Sequence, residues 1–431
     1  MWGFETDEEY QKQLDWVDEF VRQEVEPVDH VIKHAWDVRD PVRNRLIKPL
    51  QQQVRDHGLW ACHLGPELGG PGYGQLKLAL LNEILGRSHS APVVFGCQAP
   101  DSGNAEILAH YGTPELKERY LKPLLANEIV SCYSMTEPAG GSDPTAFVTR
   151  AELDGDEWVI NGEKWFSSHA SFASFYLTMA VTDPDAARHD RASMFVVSAD
   201  TPGINIVRDV GVWGHDQAEG HHAYIRYEDV RIPRDHLLGE LGRGFAVAQT
   251  RLGGGRIHHA MRTVGLVKAS LDMMLERAVS RRSGTGTLAD RQLVQELIAD
   301  SWIQLQQFRL LVLQTAWKID RYQDYRKVIV DISAVKAAMP KVLLDVVGRA
   351  IQLHGSLGIS TEMPFGKWAM ESYHLGLADG ATELHKVAVA RQLLKGAEPA
   401  PGLFPTAHLV AAREAARARF ADELAEQEDL Q

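Results

Sequence analysis

The stretch Met135-Thr136-Glu137-Pro138-Ala139-Gly140-Gly141-Ser142-Asp143 combines two hydroxyls, two carboxylates and two glycines in a segment that cannot be a helix. Pro138 blocks helix propagation, and glycines without a Cβ let main-chain amides approach a planar or anionic ligand. The hydroxyls of Thr136 and Ser142 are then spare donors, so the segment reads as a ligand loop. Taken alone, an ordinary turn between a helix and a strand accounts for it equally well. The histidines His215, His221, His222, His258 and His259 look metal-like on paper. Adjacent histidines on a helix point to different faces, however, and the His-x-x-x-His spacing of a helical zinc site is missing, so no metal is expected. Cys62, Cys97 and Cys132 form no CxxC pair and no even-numbered framework, which fits a reducing cytoplasm better than a disulfide scaffold.

These residues need elements to hold them. The 431-residue chain is 45% hydrophobic and 24% charged, so it is globular, with room for two or three structural units at about 150 residues each. A formal net charge of -13 argues against nucleic acid or an anionic membrane as the main partner. The N-terminus is acidic and amphipathic rather than a signal peptide, and no apolar run approaches the ~18 residues of a membrane span. Residues 1–129 show helical spacing, as in Tyr10, Leu14, Val17 and Val21, and Thr113-Pro114-Glu115 starts a helix running to about Leu125. Residues 130–240 change to short β-branched and aromatic runs. Asp154-Gly155-Asp156 joins Arg150–Leu153 to Trp158–Ile160 as a hairpin, and Asn161-Gly162 is a second turn signal. Residues 241–400 return to helices at Phe245–Leu252, Arg256–Arg281, Leu288–Arg321, Tyr325–His354 and Glu383–Lys395, with breaks at Ser283–Gly286 and Gly355–Gly366. Residues 401–431 read as a linker and a terminal helix. The class is therefore α+β and mostly α: a helical domain, an antiparallel β-barrel-like domain and a helical bundle.

That order, with the Thr-Glu-Pro-Ala-Gly-Gly-Ser-Asp loop at the entrance to the β domain, resembles the acyl-CoA dehydrogenases over roughly residues 5 to 395. Within them the chain is most similar to the branch also found behind a kinase-like domain in longer eukaryotic chains. Arg251-Leu252-Gly253-Gly254-Gly255-Arg256-Ile257-His258-His259 and Leu377-Ala378-Asp379-Gly380 carry that likeness. The resemblance implies bound FAD, an acyl-CoA substrate, an electron-transfer flavoprotein as electron acceptor, and a homo-oligomer, dimer or tetramer, whose FAD site borrows residues from a neighbour.

The flavin site implied by the resemblance begins with Tyr133, Met135, Thr136, Gly141 and Ser142 and adds Phe166 and Ser168. An isoalloxazine ring needs a covered face and donors at its edge, which Phe166, Thr136 and Ser168 offer. The family usually has tryptophan where Phe166 stands. Arg282 and Gln292 fall where the family holds the diphosphate and adenosine. Thr285 replaces a phenylalanine there and the loop is a residue short, which leaves Arg281 and Arg282 both open as the diphosphate ligand. Gln352, Gly355 and Ser356 match a glycine-rich segment that closes on the same end of FAD, with Ser356 in place of glycine. Helix-terminal arginines and a plain C-cap at Gly355 compete with these roles.

Asp379 aligns with the glutamate that removes the α-proton of the acyl thioester, and Gly380, Ala381 and Glu383 follow it at the cofactor. An apolar pocket would raise its pKa and strengthen it as a base. Aspartate is one methylene short, and Ala378 replaces a bulky tyrosine, which implies room for a branched or substituted acyl chain. The alternative position for a base, on the earlier helix, holds Gly255 and cannot act. The competing role for Asp379 is an N-cap near Thr382. Arg256 would meet the nucleotide end of CoA, and Ser142 its pantetheine, while Ala378 and Gly380 line the acyl site. The leading expectation is α,β-dehydrogenation of an acyl-CoA. An acyl-CoA oxidase, a nitroalkane-oxidase-like flavoenzyme and a catalytically silent CoA-ester binder stand as alternatives.

Overall fold

The computed structural model describes residues 5–212 and 221–428, so His215 lies outside the described residues. It divides into two compact units, Met1–Lys386 and Val387–Gln431. The larger one opens with helices α1 (Glu8–Phe20), α2 (Pro41–Asp56), α3 (Gly74–Leu85), α4 (Ala91–Val94) and α5 (Asp101–Tyr111). In α1 the Asp7 side chain accepts the Tyr10 N–H, Glu8 and Glu9 face the positive helix end, and Tyr10, Leu14, Val17 and Phe20 form the buried stripe. Thr113 caps α6 (Pro114–Leu116) as its sequence indicates, and one wide helical turn leads on to α7 (Lys122–Leu125).

The middle of the unit is one sheet of β1 (Ser131–Ser134), β2 (Arg150–Asp154), β3 (Glu157–Ser168), β4 (Phe175–Val181), β5 (Ala192–Ser198), β6 (Ile204–Val210), β7 (His222–Pro233) and β8 (Leu237–Leu238). Seven strands run in the order β6-β7-β3-β1-β4-β5-β8, with β2 paired to β3 and β4. The expected hairpin is present, with Asp154 opposite Glu157. Two expectations need correction. The sheet is mixed, because β1 and β2 both run parallel to β4. Asn161-Gly162 is no turn: β3 runs through it with a bulge between Ile160 and Gly162. A Cβ at Gly162 would lie 2.5 Å from Thr149 Oγ1, so this glycine marks a close strand crossing.

The remaining helices are α8 (Gly244–Ser280), α9 (Gln292–Tyr322), α10 (Ile329–His354), α11 (Phe365–Leu377) and α12 (Thr382–Lys395). Strands β9 (Arg282–Ser283) and β10 (Gly286–Thr287) form a small hairpin between α8 and α9. The break expected between Leu252 and Arg256 is absent, since α8 is continuous through three glycines. Each glycine costs ~1 kcal/mol against alanine. Ile257, Ala260, Met261, Val264 and Val267 on the same helix are fully buried, and ~1.5–3 kcal/mol per large apolar side chain outweighs that cost. Helix α11 is not expected from sequence: the break read over Gly355–Gly366 ends at Pro364, and a helix follows where none is foreseen before Glu383. In the smaller unit, α13 (Leu409–Arg419) and α14 (Ala421–Glu428) take the place of the single terminal helix expected. The main core joins α3 to the bundle, with Leu78, Leu81 and Leu85 in one cluster with Ile257, Met261, Phe308 and Leu343.

Candidate active site

The loop after β1 is anchored from below by a buried ion pair. Glu137 and Lys164 are almost fully buried and 2.9 Å apart. Glu137 also accepts the N–H groups of Val148 and Thr149 at 2.7 and 3.0 Å, and Lys164 Nζ donates to the Met135 carbonyl at 2.8 Å. Burial would push the Glu137 carboxyl up, but Lys164 and these donors hold it below its ordinary range. The carbonyl of Thr136 accepts the Trp165 N–H at 2.8 Å, and Tyr133 stands opposite Ser168 in register. Tyr133, Met135, Thr136, Phe166 and Ser168 are thus brought together. Gly141 and Ser142 are exposed at the loop tip.

Phe166 has φ +55°, a left-handed conformation that costs a bulky side chain ~1–3 kcal/mol. The residue is 37% exposed, and its ring stacks on His222 at 4.9 Å and 22°. His222 Nδ1 lies 2.8 Å from Ser168 Oγ, and the His222 ring meets His374 of α11 edge-on at 5.8 Å. That contact carries the strand side of the site to the helix that ends two residues before Asp379.

Asp379 is likewise left-handed, at φ +54°. Its main chain is pinned: Arg256 Nε donates to its carbonyl at 3.0 Å, His385 Nε2 lies 3.3 Å from the same oxygen, and Lys336 Nζ donates to the carbonyls of Leu375 and, at 3.4 Å, Gly380. The carboxylate points at α8, with Oδ1 3.8 Å from Arg251 Nη1 and Oδ2 3.7 Å from His259 Nε2. Arg251 Cζ also lies over the Tyr133 ring, 4.0 Å from its centroid, and Arg251 Nε donates to Asn104 Oδ1 at 3.0 Å. The expectation of a raised carboxyl pKa is overturned. Burial pushes Asp379 up, but His259, Arg251, Arg256 and Lys336 together hold it below the ordinary carboxylate range. His259 is driven down to about 4 by burial and is neutral at pH 7.

Arg256 therefore grips the backbone of the Asp379 loop. Ala378, Gly380 and Ala381 are half-buried beside it, and Glu383 is exposed. Arg282 and Gln292 are exposed around the β9–β10 hairpin, and Gln352, Gly355 and Ser356 are exposed at the end of α10. Glu276 and Arg277 of α8 act on His354, so these two segments share one end of the bundle. No hydrogen bond or ion pair joins them to the Thr136 loop among the described residues. No group of His, Cys, Asp or Glu there could hold a metal ion.

Reasoning from sequence missed Arg251, Lys336, His385 and the Glu137–Lys164 pair, and considered His259 only as a metal ligand. One signal was legible: Arg251, Gly255 and His259 are spaced i, i+4, i+8, which puts them on one helix face.

Residues 7–128, 132–230 and 242–394 match the acyl-CoA dehydrogenase N-terminal, middle and C-terminal domain families. The chain is 40% identical over 352 residues to "Probable acyl-CoA dehydrogenase FadE2" of Mycobacterium tuberculosis, covering 80% of this chain and 85% of that one. It is 36% identical to acyl-CoA dehydrogenase family member 11 of Gallus gallus over 87% of its own length, but spans only 49% of that longer protein. A solved Mycobacterium abscessus structure of the acyl-CoA dehydrogenase class superposes with a TM-score of 0.84 at 38% identity, over 91% of this chain and all of the other. The chain belongs to the acyl-CoA dehydrogenase family and is an FAD-dependent oxidoreductase acting on CH–CH groups.

Proposed function

We propose that this enzyme introduces an α,β double bond into an acyl-CoA thioester, with Asp379 as the base that takes the α-proton. The observation that carries this reading is the Asp379 carboxylate itself, ionised by its cationic neighbours and aimed at the glycine face of α8. A Cβ at Gly255 would lie 3.3 Å from Asp379 Oδ2, so an acyl chain reaches the base only because no side chain stands there. The pinned backbone answers the shortness of aspartate, since an error of ~1 Å at a base costs ~100-fold in rate. The Asp379 main-chain N–H is offered to the thioester carbonyl, and Ala378 leaves space for a branched or substituted chain. Gripping the Asp379 carbonyl through Nε, Arg256 orients the base loop, and Arg256 and Ser142 would meet the nucleotide end and the pantetheine of CoA.

The residues present fit FAD: an exposed aromatic face at Phe166 beside the hydroxyls of Thr136 and Ser168, in a loop fixed by Glu137 and Lys164. When bound, FAD supplies the acceptor for the hydride that leaves Cβ. Arg282, Gln292, Gln352, Gly355 and Ser356 would hold its diphosphate and adenine across a subunit interface. An exposed apolar groove along α8 and α9, lined by Leu271, Leu275, Val279, Ile298, Trp302 and Ile303, supports a homo-oligomer. Electron-transfer flavoprotein is the proposed electron acceptor.

The test is anaerobic titration of the purified yellow protein with straight-chain, branched and substituted acyl-CoAs. Bleaching by a branched or substituted ester is expected. Absence of bleaching by every ester would make this a silent CoA-ester binder, and rapid return of colour in air would make it an oxidase. Strict preference for unbranched medium chains would refute the role given to Ala378.

A further inference from the structure

Glu106 of α5 is half-buried, and no step above uses it. Its Oε2 lies 3.6 Å from the point a Cβ on Gly254 would occupy, and the Tyr325 hydroxyl lies 3.7 Å from the same point. On the next residue, Gly255, the equivalent point is 3.3 Å from Asp379 Oδ2. Two carboxylates therefore face adjacent glycines of one helix. Arg251, one turn earlier, is in the field of both. It is 3.8 Å from Asp379 Oδ1, it is the cation that acts on Glu106, and its Nε is fixed by Asn104, two residues before Glu106 on α5.

We propose that Glu106 is a positioning residue for the base: by sharing Arg251 with Asp379, its charge sets how tightly the guanidinium holds the catalytic carboxylate. This rests on the reading of Asp379 as base. An ionised Glu106 draws on Arg251 and so loosens its hold on the Asp379 carboxylate, which makes Asp379 a stronger base. A protonated Glu106 leaves Arg251 to Asp379 alone and weakens it. Burial raises Glu106 to about 7, with Arg251 opposing, so the exchange falls in the neutral range. The charged and titratable groups facing the pair are Arg251, Arg256, His258 and His259 from α8, Lys336 from α10, His374 from α11, His385 from α12, Tyr133 from β1, and Tyr325 beside Glu106. Raised by burial, Tyr325 stays neutral throughout.

The experiment measures the rate of anaerobic bleaching of the holoenzyme by butyryl-CoA and isobutyryl-CoA as a function of pH, for wild type, Glu106→Gln and Glu106→Asp. Wild type should speed up through a limb near neutrality. Glu106→Gln should lose that limb and bleach roughly 3- to 10-fold more slowly on its alkaline side, with half-saturation unchanged. Glu106→Asp should keep the limb. A limb that survives in Glu106→Gln, or is absent from wild type, overturns the proposal. In parallel, infrared spectra of the substrate-free holoenzyme should show a carboxylic-acid carbonyl band that titrates away near neutrality, is missing in Glu106→Gln and shifts to higher pH in Arg251→Met. If neither ester bleaches wild type but this band behaves so, the base assignment fails and the Glu106–Arg251 couple stands. Absence of the band overturns the couple itself.

Discussion

At the scale of single residues, Asp379 and Phe166 share an uncommon property: both are non-glycine residues in the left-handed region. Such conformations persist only where surrounding structure enforces them, and here Arg256, His385 and Lys336 enforce the first. Asp379→Asn keeps the carbonyl contacts and removes the proposed base, so the protein should remain yellow while substrate bleaching falls by at least ~1,000-fold. Retained bleaching would exclude Asp379. Because its neighbours hold Asp379 low, its own acid limb should lie below the ordinary carboxylate range, distinct from any limb near neutrality. A second residue-scale expectation concerns Lys164. Burial takes its ammonium down to about 8, with Glu137 pulling it back up. Lys164→Met leaves Glu137 buried without its cation, which should cost ~3 kcal/mol and release FAD. Adding Glu137→Gln should restore part of the stability, as urea unfolding would show.

At the scale of elements, α8 explains both the fold and the reach of the site. Its apolar stripe is in the core, while Arg251, Gly255 and His259 turn to the Asp379 carboxylate. The glycines weaken the helix, and Gly255 leaves the space beside the Asp379 carboxylate free of a side chain, the approach proposed for the acyl chain. Gly255→Ala should therefore raise the melting temperature slightly, by the equivalent of up to ~1 kcal/mol, and slow bleaching at least ~10-fold. A variant that gains stability at full rate would show that the glycine face is not the acyl path. The β3 bulge works similarly on the other side. With a second register shift between Lys164 and Ser167, it lets one strand carry Trp158 and Ile160 into the core, Lys164 under the loop and Phe166 out to an exposed position.

At the scale of the whole molecule, burial of many histidines sets the response to acid. Burial drives His63 down to about 3 and His259 and His385 to about 4, with His169 and His258 well below their ordinary value. Unfolded, each takes a proton near 6.5, so between that pH and the folded value the unfolded state binds more protons and stability falls as pH drops. Glu137, Glu371 and Asp379, held low in the fold, act in the same direction at lower pH. Asp101 and Glu106, raised to about 6 and about 7, oppose it. Glu83 and His374, also raised, oppose it too, but in this window the five lowered histidines outnumber these four raised groups, so the melting temperature should drop by roughly 5 °C between about pH 7 and about pH 5. A rise on acidification would contradict the neutral buried histidines. Among the described residues no helix is long and apolar enough to cross a membrane.

Much of this was legible in the sequence, for identifiable reasons. Capping residues and apolar periodicity act within a few residues, so Thr113, the α1 stripe and the Asp154 hairpin could be read directly. The loop at Thr136 and the acid at Asp379 are local segments with their own signatures. Three glycines looked like a break because local propensity knows nothing of the core that holds α8 together. The ionisation of Asp379 was also out of reach. An apolar pocket was a fair expectation for an isolated motif, but the charges that reverse it come from positions 251, 256, 259 and 336, which only folding brings to one carboxylate. Residue types and local spacing were determined by the sequence alone. The field at Asp379 was decided by the tertiary structure, because electrostatic interactions depend on distance through space and not along the chain.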